Sequence, residues 1–153
     1  MKLILPKKLI ADPAKLSRAL TNALNGVAKD IQIDFKTTTQ TWNHKPDFPI
    51  SSPSTYRRIV ATDDEIYGYV NDGTRAHIIQ AKPGKILEFW TPFTSKTLPN
   101  KIMSRAGKVG NTINRARLVQ HPGTEARKFD VAIKQKWDKE FGVIMQRAVD
   151  SEV

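Results

Sequence analysis

The chain contains no cysteine, which excludes disulfides, thiolate metal sites and cysteine nucleophiles. No apolar run approaches the ~20 residues that span a bilayer. The opening MKLILPKKLIADP offers only Leu3 to Leu5 before Pro6 and two lysines, too short for the apolar core of a signal peptide. The expectation is a soluble protein that stays in the cell where it is made and makes no membrane contact. There is no Gly-x-Ser-x-Gly elbow, no GxGxxG and no GxxxxGK[ST] loop, so nucleophile-elbow, dinucleotide and P-loop chemistry have no anchor. The three histidines, His44, His77 and His121, follow no HxH, HxxxH or HExxH spacing and make no recognisable ligand set. Each is read as bonding a turn or lying on the surface. The adjacent pair Asp63-Asp64 could in principle hold magnesium, but at the start of a helical pattern it reads as a cap. No catalytic constellation, cofactor or metal is expected, and the chain is read as not an enzyme.

What is present fits one domain over residues 1–153, long enough to bury a substantial core. The hydrophobic fraction is 39% and the charged fraction 26%, ordinary for a globular chain. The formal charge is +10. Such a balance attracts polyanions, nucleic acid above all, although many small basic proteins bind none.

Asp12-Pro13 is a cap followed by a favoured first helical residue. Leu16, Leu20, Ala23, Leu24, Val27, Ile31 and Phe35 then recur at three- and four-residue steps, predicting an amphipathic helix from Pro13 to about Lys36. Thr37 to Ser54 is rich in Thr, Ser and Pro and reads as an extended arm. Its apolar residues Trp42, Phe48 and Ile50 either fold back onto the core or dock on a neighbouring subunit. TYRRIVAT, Thr55 to Thr62, reads as a strand. Asp63 then caps a short helix carrying Ile66, Tyr69 and Val70, which Gly73 ends. HIIQAK and ILEFW, joined by Pro83-Gly84, look like a hairpin. Residues 91–111 read as a flexible basic loop and Thr112 to Gln120 as a strand. A closing helix, capped by Thr124, carries Phe129, Ala132, Ile133, Trp137, Phe141, Ile144, Met145 and Ala148 on one face. The class is α+β: a long N-terminal helix and a C-terminal helix packed on a small, mainly antiparallel sheet, with a short helix inserted.

Two stretches echo each other. NDGTRAH, Asn71 to His77, and HPGTEARKFD, His121 to Asp130, share a Gly-Thr-x-Ala core beside a histidine. Both read as junctions: Gly73 where a helix turns into a strand, Pro122-Gly123 where a strand turns towards a helix. No acidic residue lies between Glu88 and Glu125, and that gap holds Lys96, Lys101, Arg105, Lys108, Arg115 and Arg117. This segment suits contact with phosphates or an acidic partner; the alternative is a solvated loop with no partner. No aromatic is interleaved with these cations, so base stacking is not indicated.

YVNDGTRAHIIQAKPGKILEF, followed by VQHPGTEARKF, resembles the small neck or minor tail-component proteins of long-tailed bacteriophages. The matching positions are Tyr69, Val70, Gly73, Thr74, His77, Ile79, Lys85, Leu87 and Phe89, then His121, Pro122, Gly123, Thr124 and Phe129. Asn71 stands where that family usually has Glu, Ala81-Lys82 where it has Pro-Lys, and Lys128 where a Pro precedes the Phe. The resemblance covers roughly residues 65–133. It implies a virion structural protein, made in the bacterial cytoplasm, that forms or completes the head–tail junction around the DNA channel. It also implies other neck and tail proteins as partners, a homo-oligomeric ring, expected hexameric, and non-specific contact with channel DNA. Trp42, Phe48 and Ile50 are then candidates for subunit contact, and the six cations for DNA or an acidic partner. Two other readings stay open: a stand-alone double-stranded DNA-binding protein, and a small nuclease using His77 and His121.

Overall fold

The computed structural model describes residues 12–91 and 112–152. The long helix α1 runs Pro13–Thr38. Asp12 caps it, its carboxylate accepting the N–H groups of Ala14 at 2.9 Å and Lys15 at 3.4 Å. It continues two residues past the predicted end because its terminal threonines bond backwards. The Thr37 hydroxyl donates to the carbonyl of Ile33 at 2.8 Å and that of Thr38 to Phe35 at 2.6 Å. Lys45 then reaches back to the carbonyls of Thr39 and Gln40 at 3.0 and 2.6 Å, satisfying acceptors a helix end leaves free.

The arm is not a free loop. Residues after α1 fold back along it, and Gln32 donates to the carbonyl of Phe48 at 2.6 Å. Ile50–Ser54 forms strand β1, paired antiparallel with β2, Arg57–Val60. The ladder is irregular between Ser51 and Ser54, and Pro53 sits there. A proline is tolerated in an edge strand at a bulge, where no ladder donor is needed. β2 is shorter than predicted because Thr55-Tyr56 make the turn. Arg58 ties that turn to α1, donating to Asn25 at 2.6 Å and to the carbonyl of Ser54 at 2.9 Å.

Helix α2 is Glu65–Asp72. Its cap is Asp64, not Asp63: the Asp64 carboxylate accepts the Tyr67 N–H at 2.7 Å. The predicted face also shifts by one residue. Tyr67 and Asn71 are buried, whereas Ile66 and Tyr69 are exposed; Val70 packs on the core with Tyr67.

The predicted hairpin does not close on itself. Strand β3, His77–Gln80, pairs with β6, Leu118–His121, and β4, Leu87–Thr91, pairs with β5, Thr112–Ala116, all antiparallel. The two pairs continue one ribbon, and residues 81–86 are a side excursion opposite the bend at Arg117. Among the described residues the β-structure is therefore three two-stranded pieces rather than one sheet. Residues 92–111, which connect β4 to β5, fall outside the described residues, as does most of the predicted basic loop.

Helix α3, Phe129–Asp150, begins five residues after Thr124. It packs on α1 through Val27, Ile133 and Trp137, with Ile31, Phe35, Phe141 and Ile144 around them. Asp34 joins the two helices, accepting from Lys136 at 2.8 Å and from the Trp137 indole at 2.8 Å. A second core cluster is aromatic: Phe48 stacks on Phe35 at 5.2 Å and meets Tyr67 edge-on at 5.0 Å, and Phe129 closes it from α3. Burying a side chain of this size is worth about 1.5–3 kcal/mol. The fold is α+β, with three helices and small antiparallel strand pairs among the described residues.

Candidate functional site

The two Gly-Thr stretches, fifty residues apart in sequence, meet. Thr74 donates its N–H to the carbonyl of Thr124 at 2.9 Å, and Thr124 returns the bond at 3.1 Å. The Thr74 hydroxyl oxygen also accepts from the Thr124 N–H at 2.9 Å. Gly73 and Gly123 flank this clasp with φ of 77° and 94°, a region that side-chain-bearing residues rarely occupy.

The clasp explains why Thr124 does not cap α3: its backbone is already bonded to Thr74. The cap comes from across the junction. The side-chain oxygen of buried Asn71 accepts the N–H of Phe129 at 2.8 Å and of Asp130 at 3.4 Å. The Asn71 and Val70 carbonyls take the N–H groups of Lys128 and Arg127 at 2.9 and 3.0 Å. Lys128 turns through the left-handed region, φ 51°, to bring the chain into the helix. α2 therefore ends on the start of α3, and six motif positions, Val70, Gly73, Thr74, Gly123, Thr124 and Phe129, take part in one joint. Tyr69 and Pro122 stay at its exposed rim.

His77 and His121 are a cross-strand pair with ring centroids 5.0 Å apart. The His77 Nδ1–H donates to the carbonyl of Arg75 at 2.9 Å, and the His121 Nδ1 accepts the Gly123 N–H at 3.0 Å. These bonds assign opposite tautomers to the neutral rings. They leave a lone pair on His77 Nε2 and a proton on His121 Nε2, so no pair of lone pairs converges on a metal. Both rings bond turn backbone, as the sequence reading expected. Among the described residues, no three His, Cys, Asp or Glu side chains gather into a metal-binding group. His44 instead donates to Asp64. That bond, and next the Tyr67 N–H, hold the Asp64 carboxyl below its ordinary value. Asp64, thus engaged by His44 and Tyr67, does not pair with Asp63 as an ion site. Burial pushes the Tyr67 phenol well above its ordinary value.

From the joint leads the β3–β6 and β4–β5 ribbon, whose main contacts among the described residues are between its own strands. Every residue of β3 is exposed, and Ile78, Ile86 and Leu118 are exposed apolar residues on or beside it. An isolated two-stranded ribbon is marginal in water. Arg115 is paired across it with Glu88 at 2.8 Å; Arg117 sits exposed at the bend. Lys96, Lys101, Arg105 and Lys108 lie outside the described residues.

The subunit-contact candidates need correction. Phe48 is 1% exposed and belongs to the protein's own aromatic core, so it is not presented to a neighbour. Trp42 and Ile50 are half-buried, Trp42 with its ring 6.1 Å from that of Tyr67. The arm folds back because Phe48 has an aromatic slot to fill.

Two features escaped the sequence reading. Arg127 is buried; among the described residues its Nε has no partner and its one ion-pair neighbour is Glu125 at 3.8 Å. Asn71 looked like a helix-end residue; the clue was a polar side chain four residues after Tyr67, one helical turn along the buried face. An open apolar groove of about 680 Å³ also runs between α1, β2 and α3, with Val27 and Ile133 among its lining residues.

No family model, no curated protein and no solved structure matches the chain. No helix among the described residues is long and apolar enough to cross a membrane.

Proposed function

We propose that this chain is a non-enzymatic structural protein of the head–tail junction of a long-tailed bacteriophage, acting as a ring subunit around the DNA channel. The observation that carries this reading is the joint. The residues on which the resemblance rests hold two helices and a ribbon together through backbone bonds, and strand β3 leaves that joint with every residue exposed. Residues spent on a joint are not free for chemistry, and an unsupported ribbon with exposed Ile78 and Leu118 suits a subunit completed by its neighbours. Its partners are then other copies of itself and the adjoining neck and tail proteins.

Quantitative mass spectrometry of whole virions, free tails and empty heads tests the reading. A fixed copy number in virions and in one of the partial particles supports it and says which side the protein joins first. Absence from all three sinks it.

One observation favours a hydrolytic alternative: His77 and His121 are adjacent, as a nuclease using both requires. A folded His121→Ala variant that loses a nuclease activity present in the parent would establish it. The structural reading expects no such activity in the parent.

A further inference from the structure

The strands of the ribbon pair Gln80 with Leu118 and Leu87 with Ala116. Six residues, 81–86, therefore stand opposite one, Arg117. The excursion is pinned at its base by the Ala81 N–H on the Arg117 carbonyl, 2.9 Å, and closed by the Lys85 N–H on the Lys82 carbonyl, 2.9 Å. Pro83 and Gly84 are the central residues of that turn, with Gly84 at φ 76°; this is the requirement of a type II turn. The turn is thus stiff, and the Lys82 and Lys85 backbones are held on either side of it.

Lys82, Lys85 and Arg117 line one hollow of about 360 Å³ with Gln80, Ala81 and Ile86, and among the described residues no carboxylate lines it. All three are exposed and, among the described residues, none makes an ion pair. Arg115, two residues away, shows the contrast: it is neutralised by Glu88. Three like charges gathered on a stiff turn repel one another, and an anion with repeated charges relieves that repulsion.

We propose that Lys82, Lys85 and Arg117 form a binding site for the phosphodiester backbone of duplex DNA. Lysines meet phosphate as point charges, and arginine can grip one with two bonds. Among the described residues no aromatic lines the hollow, so none of them stacks there on an unpaired base. The site reads charge and not sequence, as a surface facing packaged DNA must. It deepens the head–tail reading by naming residues that meet channel DNA.

The test is fluorescence anisotropy of the full chain with a labelled random-sequence duplex over a salt series. The parent is compared with Lys82→Ala/Lys85→Ala/Arg117→Ala and with a charge-matched control, Lys29→Ala/Lys139→Ala/Arg147→Ala, altered at exposed helix positions. The site variant should lower the slope of log affinity against log salt by about 2–3, at ~0.9 per phosphate contact, and weaken binding more than about tenfold near 0.1 M salt. The control should change both far less, and Lys82→Arg/Lys85→Arg should bind as the parent does. Equal slopes for site variant and control, or no duplex binding by the parent, would overturn the site; an acidic protein partner gives the first of these results. If particles hold the chain at fixed copy number while the site variant binds duplex normally, this site fails alone. If the chain is absent from particles, the head–tail reading fails whatever the duplex result.

Discussion

A Cβ placed on Gly73 would lie 2.6 Å from the carbonyl oxygen of Thr124, and one on Gly123 would lie 2.3 Å from that of Thr74. Each glycine is therefore pressed against the backbone of the other's threonine, and each has a positive φ as well. Left-handed backbone alone costs a side-chain-bearing residue roughly 1–2 kcal/mol. The contacts add to that, because they are with backbone that is itself hydrogen-bonded. Gly73→Ala and Gly123→Ala should each lower stability by about 2–4 kcal/mol. Thr74→Ala removes only the hydroxyl bond and should cost about 1 kcal/mol. Urea unfolding of the three variants decides it: losses of equal size would mean that close approach at the glycines is not what shapes this joint.

Asn71 caps a helix that begins 58 residues later, so it couples α2 to α3 in a way a local cap cannot. Asn71→Ala leaves the Phe129 N–H, which is buried, without an acceptor. The expected loss is about 2–3 kcal/mol, a cap plus an unsatisfied donor. Amide exchange separates this from general loosening. The N–H groups of Phe129 and Asp130 should lose protection well before those in the middle of α3. Uniform loss along α3 would mean that Asn71 supports the fold without capping this helix.

Local rules served well where the physics was local. Asp12, Pro13 and the stripe from Leu16 to Phe35 mark α1 because capping and amphipathic spacing act within a few residues. Gly73 and Pro83-Gly84 mark turns for the same reason. The one-residue shifts at α2 and the late start of β2 are local, but the larger misreadings turn on distant partners. Thr124 has the chemistry of an N-cap, but Thr74 engages its backbone first. His77–Gln80 and Leu87–Thr91 flank a proper turn yet pair with strands some forty and twenty-five residues away. Phe48 sits among prolines and polar residues, and nothing near it in sequence announces the aromatic slot made by Phe35, Tyr67 and Phe129. At the site, the motif residues were legible as junctions, but not that the two junctions are one. The cationic hollow was half legible: Arg117 stood out in its acid-free segment, whereas Lys82 and Lys85 join it only because the strands pair as they do.

The Asp64 carboxyl is held below its ordinary value of 3.8, first by the bond from His44 and then by the Tyr67 N–H. A group depressed in the folded state adds stability above its unfolded value and loses it as pH falls through the folded value. The Asp64 contribution is therefore present above about pH 4 and fades below it. Asp64→Asn keeps a capping oxygen and removes the charge. The difference in urea midpoint between parent and variant should hold near pH 5 to 6 and shrink as acid is added, from about pH 4 downward. His44→Gln should reduce the same difference. A gap that stays constant down to pH 3 or so would remove the Asp64 charge as its cause.

Phe48 and the ribbon separate folding from assembly. Phe48, 1% exposed, fills the space between Phe35 and Tyr67, and its carbonyl is held by Gln32. Phe48→Ala should cost about 3–5 kcal/mol, enough to unfold a marginal domain, and any loss of assembly would follow from that. Ile78 and Leu118 are 64% and 56% exposed. Because Ile78 pairs with Gln120 and Leu118 with Gln80, they share one face of the ribbon as diagonal neighbours. Ile78→Ser/Leu118→Ser removes apolar surface that the monomer does not bury, so its unfolding free energy should change by less than about 0.5 kcal/mol. Its incorporation into particles, or self-association at high concentration, should fall sharply if this face meets a neighbouring subunit. Size-exclusion with light scattering and particle mass spectrometry read the two properties apart. A double variant that unfolds would show that the ribbon face is core. One that folds and assembles like the parent would move the subunit contact elsewhere, with the open groove between α1, β2 and α3 as the next surface to alter.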